Sequence, residues 1–361
     1  MNLCRIAALL LTTVGLMGGT VAPALAQEEG QVILRYEGRW DRQESGVGDD
    51  LRDVMFVNPL VGYAVGEQST ILKTTDGGWT WTRLGERRER GSDFRWVHFA
   101  NENEGWVQAS NALLTTRDGG QTWQPAAPPN TPPSSAVYSY GANWNVGSTR
   151  FQVHTGTTAS TQALSRSDDL GRTWTTLNPR LPENDFGNIV FVDQNSGFFA
   201  RSTAIGSTVY PELLFTTSDG GRTLRPIARE QVGSNPVLAF LGAATGWASG
   251  RDGTTLLSTI DGGATWERQG TGLGSAARLS DLQFVDVALG HLLSNYTDSG
   301  TVLRTSDGGW TWQVLSTSRQ LDNPGATNAL WFTDAEHGWV VGNRGFVTHY
   351  HLVPVWGYPE E

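Results

Sequence analysis

Along residues 53–84 the chain carries four short runs of alternating or β-branched side chains, at 53–57, 62–65, 70–74 and 79–84. Asn58-Pro59, Gly66-Glu67 and Asp76-Gly77-Gly78 punctuate them. A period of two between such breaks predicts four antiparallel strands joined by tight turns. No window carries a 3.6-residue apolar period, which excludes a helical solenoid. Reversal at each Asp-Gly-Gly disfavours a parallel β-helix.

The pattern recurs. An octapeptide appears as TTDGGWTW at 74–81, TRDGGQTW at 116–123, SDDLGRTW at 167–174, TSDGGRTL at 217–224, TIDGGATW at 259–266 and TSDGGWTW at 305–312. Its aspartates, Asp76, Asp118, Asp169, Asp219, Asp261 and Asp307, lie 42, 51, 50, 42 and 46 residues apart. Its final tryptophans are Trp81, Trp123, Trp174, Trp266 and Trp312, with Leu224 as the exception. Upstream of each stands an apolar stretch ending in Gly and an aromatic, as at Gly62-Tyr63, Gly105-Trp106, Gly197-Phe198, Gly246-Trp247 and Gly338-Trp339, with Gly290-His291 as a variant. The gap of 92 residues between Gly105 and Gly197 spans two repeats, and the degenerate stretch 136–147 fills the missing place. Seven units of four strands predict an all-β fold, a seven-bladed β-propeller in one domain, residues 27–361.

The last unit, 328–351, has three strands and no octapeptide. Residues 32–43 read as an orphan strand centred on Trp40, which precedes Gly62 by 22 residues, as Trp81 precedes Gly105 by 24 and Trp174 precedes Gly197 by 23. An N-terminal strand completing the last blade closes the ring and removes an edge. Trp356 is the rival, but Pro354 weakens its strand, so the N-terminal closure is favoured.

The octapeptide resembles the Asp-box, or bacterial neuraminidase repeat, and reads as architecture. Aspartate can accept hydrogen bonds from its own turn, glycines supply positive φ, and the Thr or Ser two positions earlier can bond into the same turn. A catalytic group is needed once and a turn clip once per blade. Calcium binding is the functional alternative, but one carboxylate per turn is too few ligands.

Composition narrows the rest. Residues 1–26 read as a signal peptide, with Arg5, an apolar run and the Ala24-Leu25-Ala26 cleavage site; a retained anchor is the other reading. Cys4 is the sole cysteine, and the formal charge is -10. An acidic chain disfavours nucleic acid as partner. Residues 85–95, GERRERGSDFR, gather Arg87, Arg88, Arg90 and Arg95 on the rim opposite the octapeptides, where loop sequence is irregular. They are the candidate partner-binding residues. His349 and His351 share one face of a strand, but no third ligand is evident nearby, and no metal or cofactor is expected. An R-I-P string near the start, as in sialidases, is missing, and one propeller cannot form the two-propeller cleft of xyloglucan-cleaving enzymes.

The strings VGYAVGEQSTILKTTDGGWTW and FTDAEHGWVVGNRGFVTHY resemble the photosystem II assembly/stability factor family, over nearly the whole of 27–361. The resemblance implies a seven-bladed, non-enzymatic propeller that docks on membrane-protein assembly intermediates, with an arginine-rich patch for which Arg87, Arg88 and Arg90 are the counterparts. It implies an exported protein, periplasmic or extracellular, or in the thylakoid lumen of a photosynthetic host. A carbohydrate-binding or carbohydrate-cleaving Asp-box propeller is the alternative.

Overall fold

The structure, a computed structural model, describes residues 33–85, 93–109, 113–126, 143–155, 161–181, 186–201, 214–228, 236–250, 252–273, 278–296, 299–317, 321 and 326–357. Residues 37–353 form one compact body; Met1–Tyr36 and Pro354–Glu361 make up a second, small unit, described only at 33–36 and 354–357. The proposed signal peptide lies outside the described residues.

Seven four-stranded sheets form the blades of the body. Blade 1 runs from the axis outward through Leu51–Phe56, Gly62–Gly66, Thr70–Thr74 and Thr82–Arg83. Blades 2 to 6 follow at 94–125, 143–178, 186–228, 238–269 and 278–317. Blade 7 has the order Thr327–Phe332, Gly338–Gly342, Phe346–Gly357 and then Ile33–Glu44, so the N-terminal strand closes the ring. Trp356, the rival for that place, is exposed. The outer strand of blade 1 starts at Thr82 rather than 79, because residues 75–81 are consumed by the turn.

The buried core lies between neighbouring blades, and one aromatic device repeats there. An inner-strand Phe stacks on the second-strand aromatic of the preceding blade: Phe56 on Trp339, Phe99 on Tyr63, Phe191 on Phe151, Phe240 on Phe198, Phe284 on Trp247 and Phe332 on His291, with centroids 3.4 to 3.6 Å apart. The octapeptide tryptophan meets that Phe edge-on, as Trp81 meets Phe56 at 5.9 Å and Trp312 meets Phe284 at 6.1 Å. Trp40 does the same to Phe332 at 6.2 Å and 89°, so it fills the octapeptide tryptophan's place in blade 7. The Gly of each Gly-aromatic pair lies under its own blade's Phe; a Cβ at Gly290 would stand 2.6 Å from the Phe284 ring.

His291 is the odd member of this series. It is fully buried and neither ring nitrogen has a hydrogen-bond partner. Burial, aided by nearby Arg304, holds its pKa down at about 3. A folded pKa below the unfolded value means that its contribution is complete above about pH 6.5 and is lost as the pH falls toward 3, by about 1.4 kcal/mol per pH unit. His291→Phe is therefore expected to raise the melting temperature, with a gain that grows between pH 7 and pH 4. An equal gain at both ends of that range would contradict this account.

Candidate binding site: the axial cavity and the two rims

In blades 1 to 6 the turn between the first two strands and the octapeptide turn share one rim. The loop between the second and third strands and the blade-to-blade connection share the other. Between the rims, the inner strands enclose a cavity of about 570 Å³, lined among others by Trp96, Trp144, Trp331, Asp53, Asp281 and Arg150.

The two aspartates join inner strands across blades. Asp53 accepts the Val54 N–H at 2.9 Å and the Val97 N–H of blade 2 at 2.8 Å. Asp281 accepts the Leu282 N–H and the Leu330 N–H of blade 7, both at 2.9 Å. Burial pushes these carboxyls up, to about 7 and about 6. A raised carboxyl in a cavity suits acid–base chemistry, but here each oxygen is engaged by a backbone amide, and the arrangement is a staple. Asn188 works similarly, donating to the Pro236 carbonyl at the start of blade 5. None of the three was singled out from sequence, although each stands three residues before its inner-strand Phe.

Blade 3 departs from the aromatic device. Its register pairs Asn145 with Arg150 and Arg150 with Ser167, as blade 1 pairs Phe56 with Gly62 and Gly62 with Thr74. Asn145 thus stands where other blades have Phe, and Arg150 where they have Gly. The Arg150 guanidinium covers the Trp106 ring of blade 2 at 5.1 Å, the surface a Phe would otherwise stack on. Arg150 is buried, and its guanidinium donates to the amide oxygens of Asn145, Gln108 and Gln152. Burial lowers its pKa to about 9. Beside it, burial and Arg150 together hold His98 at about 4.

The six octapeptide aspartates are turn clips. In every unit the Thr or Ser hydroxyl two positions earlier donates to the carboxylate at 2.7 to 3.0 Å. The same oxygen accepts the second-glycine N–H at 2.7 to 2.9 Å. The Thr four residues after the aspartate adds its hydroxyl at 2.6 to 2.7 Å. Hydrogen bonds from that Thr hold Asp118, Asp169, Asp261 and Asp307 at about 2. Its part was missed in the sequence, although Thr occupies position seven of all six copies. In SDDLGRTW, Leu170 takes the first glycine's place with φ 58°.

Of the candidate arginines, Arg87, Arg88 and Arg90 lie outside the described residues. Arg95 is exposed, at the second position of the blade 2 inner strand Phe94–Phe99 rather than in a loop. His351 bonds Asp41 of the closing strand at 2.7 Å, and His349 stacks on Trp339 at 4.5 Å. His337 joins the row, 6.1 Å from His349. Among the described residues no group of three His, Cys, Asp or Glu side chains is arranged to hold a metal.

A family model described as photosynthesis system II assembly factor YCF48 matches residues 34–137, the closing strand with blades 1 and 2. The chloroplastic photosystem II stability/assembly factor HCF136 of Arabidopsis thaliana is 24% identical over 338 residues, covering 77% of this chain and 81% of that protein. The chain resembles the photosystem II assembly factors. Solved structures of such factors superpose well. YCF48 bound to D1 peptide gives a TM-score of 0.67 at 20% identity, covering 86% of this chain and 94% of that one. YCF48 from Cyanidioschyzon merolae gives 0.64 at 20% identity, covering 87% and 98%. A GH74 xyloglucanase from Xanthomonas campestris gives 0.59 at 17% identity, covering 86% of this chain but 53% of that one. These structural likenesses, for assembly factor and glycosidase alike, show the fold.

Proposed function

We propose that the chain is an exported, non-catalytic propeller of the assembly-factor type, which binds an acidic segment of a membrane-protein partner on the rim opposite the octapeptides. The observation that carries this is the resemblance to assembly factors in both sequence and fold, one of which is seen with a D1 peptide. A photosystem subunit is the corresponding partner in a photosynthetic host, with the thylakoid lumen as the compartment; elsewhere the compartment is periplasmic or extracellular. The octapeptide and axial aspartates are occupied by turn and backbone hydrogen bonds, which fits a scaffold better than a hydrolase. The arginine run Arg87, Arg88 and Arg90, with Arg95, supplies the cations. Guanidinium groups offer forked donors matched to carboxylates, and they stay charged at any relevant pH.

Replacing Arg87, Arg88 and Arg90 together by alanine is expected to leave the melting temperature unchanged and to weaken pull-down of a membrane-protein partner about tenfold, an effect that added salt mimics. A control changing Arg172, Arg222 and Arg304 should bind almost normally. Equal losses from both triples would reduce the effect to nonspecific charge. Cleavage or tight binding of a glycan by the purified protein would replace this reading with the carbohydrate one.

A further inference from the structure

The octapeptide rim is chemically divided in two. Position six of the octapeptide projects from the turn. It is Trp79 in blade 1 and Trp310 in blade 6, but Gln121, Arg172 and Arg222 in blades 2, 3 and 4. Trp79 and Trp310 are 61% and 56% exposed. The neighbouring positions follow the same division. Leu60, in the first turn of blade 1, Val287, in that of blade 6, and Ile260, in the octapeptide of blade 5, are 59%, 65% and 83% exposed. In the first turns of blades 2 and 4 every exposed residue is polar, at 101–103 and 193–195, whereas in blade 6 Val287 is exposed between Asp286 and Ala288. Blade 7, between 6 and 1, has no octapeptide and exposes Glu336. Blades 5, 6, 7 and 1 are consecutive in the ring, so the apolar tips of blades 5, 6 and 1 fall in one arc, interrupted by Glu336 of blade 7, while blades 2 to 4 carry polar tips.

We infer that the arc of blades 5, 6, 7 and 1 rests on a lipid surface of zwitterionic or uncharged headgroups, with Trp79 and Trp310 set into the interface. Tryptophan favours that zone, where its ring is apolar and its N–H stays wet. Trp79 lies edge-on to His351 at 6.5 Å, while Ile260, Val287 and Trp310 stand on separate turn tips, a form suited to a soft interface.

The course of the chain supports the occupant. Gly38 packs under the ring of Tyr350 with no room for a Cβ. Tyr350 pairs with Gly338 just as Thr74, at the start of the blade 1 octapeptide, pairs with Gly62. With Trp40 in the octapeptide tryptophan's place, residues 37–39 join the body at the level of this rim. On the reading in which it is retained as an anchor, the apolar segment 6–26 lies a short way upstream in the sequence. With a formal charge of -10 the chain gains nothing from anionic lipid, so apolar insertion carries the contact and salt does not weaken it.

The test uses the full chain and phosphatidylcholine vesicles whose acyl chains carry bromine, which quenches nearby tryptophan emission. Wild-type emission is expected to fall on adding vesicles, and the Trp79→Phe/Trp310→Phe variant to lose roughly half or more of that fall, since the two exposed rings are the ones placed at the interface. Gln121→Ala/Arg222→Ala should quench like wild type. Absence of quenching in wild type overturns the inference. So does undiminished quenching in the Phe variant, which would mean that residues 6–26 alone carry the chain to the vesicle. Trp79→Ser/Trp310→Ser losing capture of a membrane protein, with no vesicle quenching in wild type, would assign the arc to a protein. The arginine triple changes none of the residues named for this arc, so the two proposals fail independently.

Discussion

Trp339→Ala is expected to cost about 3–5 kcal/mol, more than any exposed tryptophan, because one buried ring holds the seam where the two ends of the chain meet. Trp339 is fully buried, stacked on Phe56 of blade 1 at 3.4 Å and on His349 at 4.5 Å. Its indole N–H donates to the Gly77 carbonyl at 3.0 Å, inside the first octapeptide turn. Truncation removes both stacks, opens a cavity between blades 7 and 1, and removes a hydrogen bond. Trp339→Phe keeps a ring on Phe56 and should cost far less, since Gly77 O also accepts from Gln43 at 2.9 Å. Denaturant melts of these two variants and of Trp79→Ala separate the cases. A Trp339→Ala cost no larger than that of exposed Trp79→Ala would refute the seam argument.

The second large effect concerns blade 3. Arg150→Gly alone should cost about 2–5 kcal/mol, because it empties the space over Trp106 and removes the donor to the Gln108 side-chain oxygen. Asn145→Phe alone should also destabilise, since the new ring meets the guanidinium already on Trp106. Together the two substitutions recreate the Phe-over-Gly pair of the other blades. Exchanging a buried cation for a packed ring is neutral or stabilising by about 1–4 kcal/mol, which offsets the donor lost to Gln108, so the double variant should recover most of the loss of either single variant. A thermodynamic cycle reads this directly as strong non-additivity. If the double variant were as unstable as the sum of the singles, Arg150 would not be the ring's substitute.

Much of the fold was legible because each blade repeats the same physical problem. The Gly-aromatic pair, the octapeptide and the phase of Trp40 reported stacking, turn and closure, and the closure followed from counting between tryptophans. Blade 3 read as degenerate for the converse reason: Asn145 and Arg150 solve that problem with other chemistry, so a search for Phe and Gly finds neither. Sequence overextends the outer strand, because Trp79 to Trp81 look strand-like in composition while belonging to the clip. Asp53 and Asp281 escaped notice because their partners are backbone amides of the adjacent blade, some 44 to 49 residues away. The division of the octapeptide rim was written at one position per repeat and emerges only once blades 5, 6, 7 and 1 are known to be neighbours.

The closing strand has a consequence in time. Asp41 O accepts from Thr348 across 307 positions, and the Asp41 carboxylate meets His351 across 310. Contacts of such sequence separation form last, after the local hairpins have condensed. As the chain emerges into its compartment, blades 1 to 6 can each assemble from their own four strands. Ile33–Glu44, the first strand synthesised, must wait for the last. Until then both it and the third strand of blade 7 offer unpaired edges, open to pairing with another chain. The bond that completes the ring is therefore also the interval in which the molecule is most exposed to error, and a crowded compartment would select for a rapid final join.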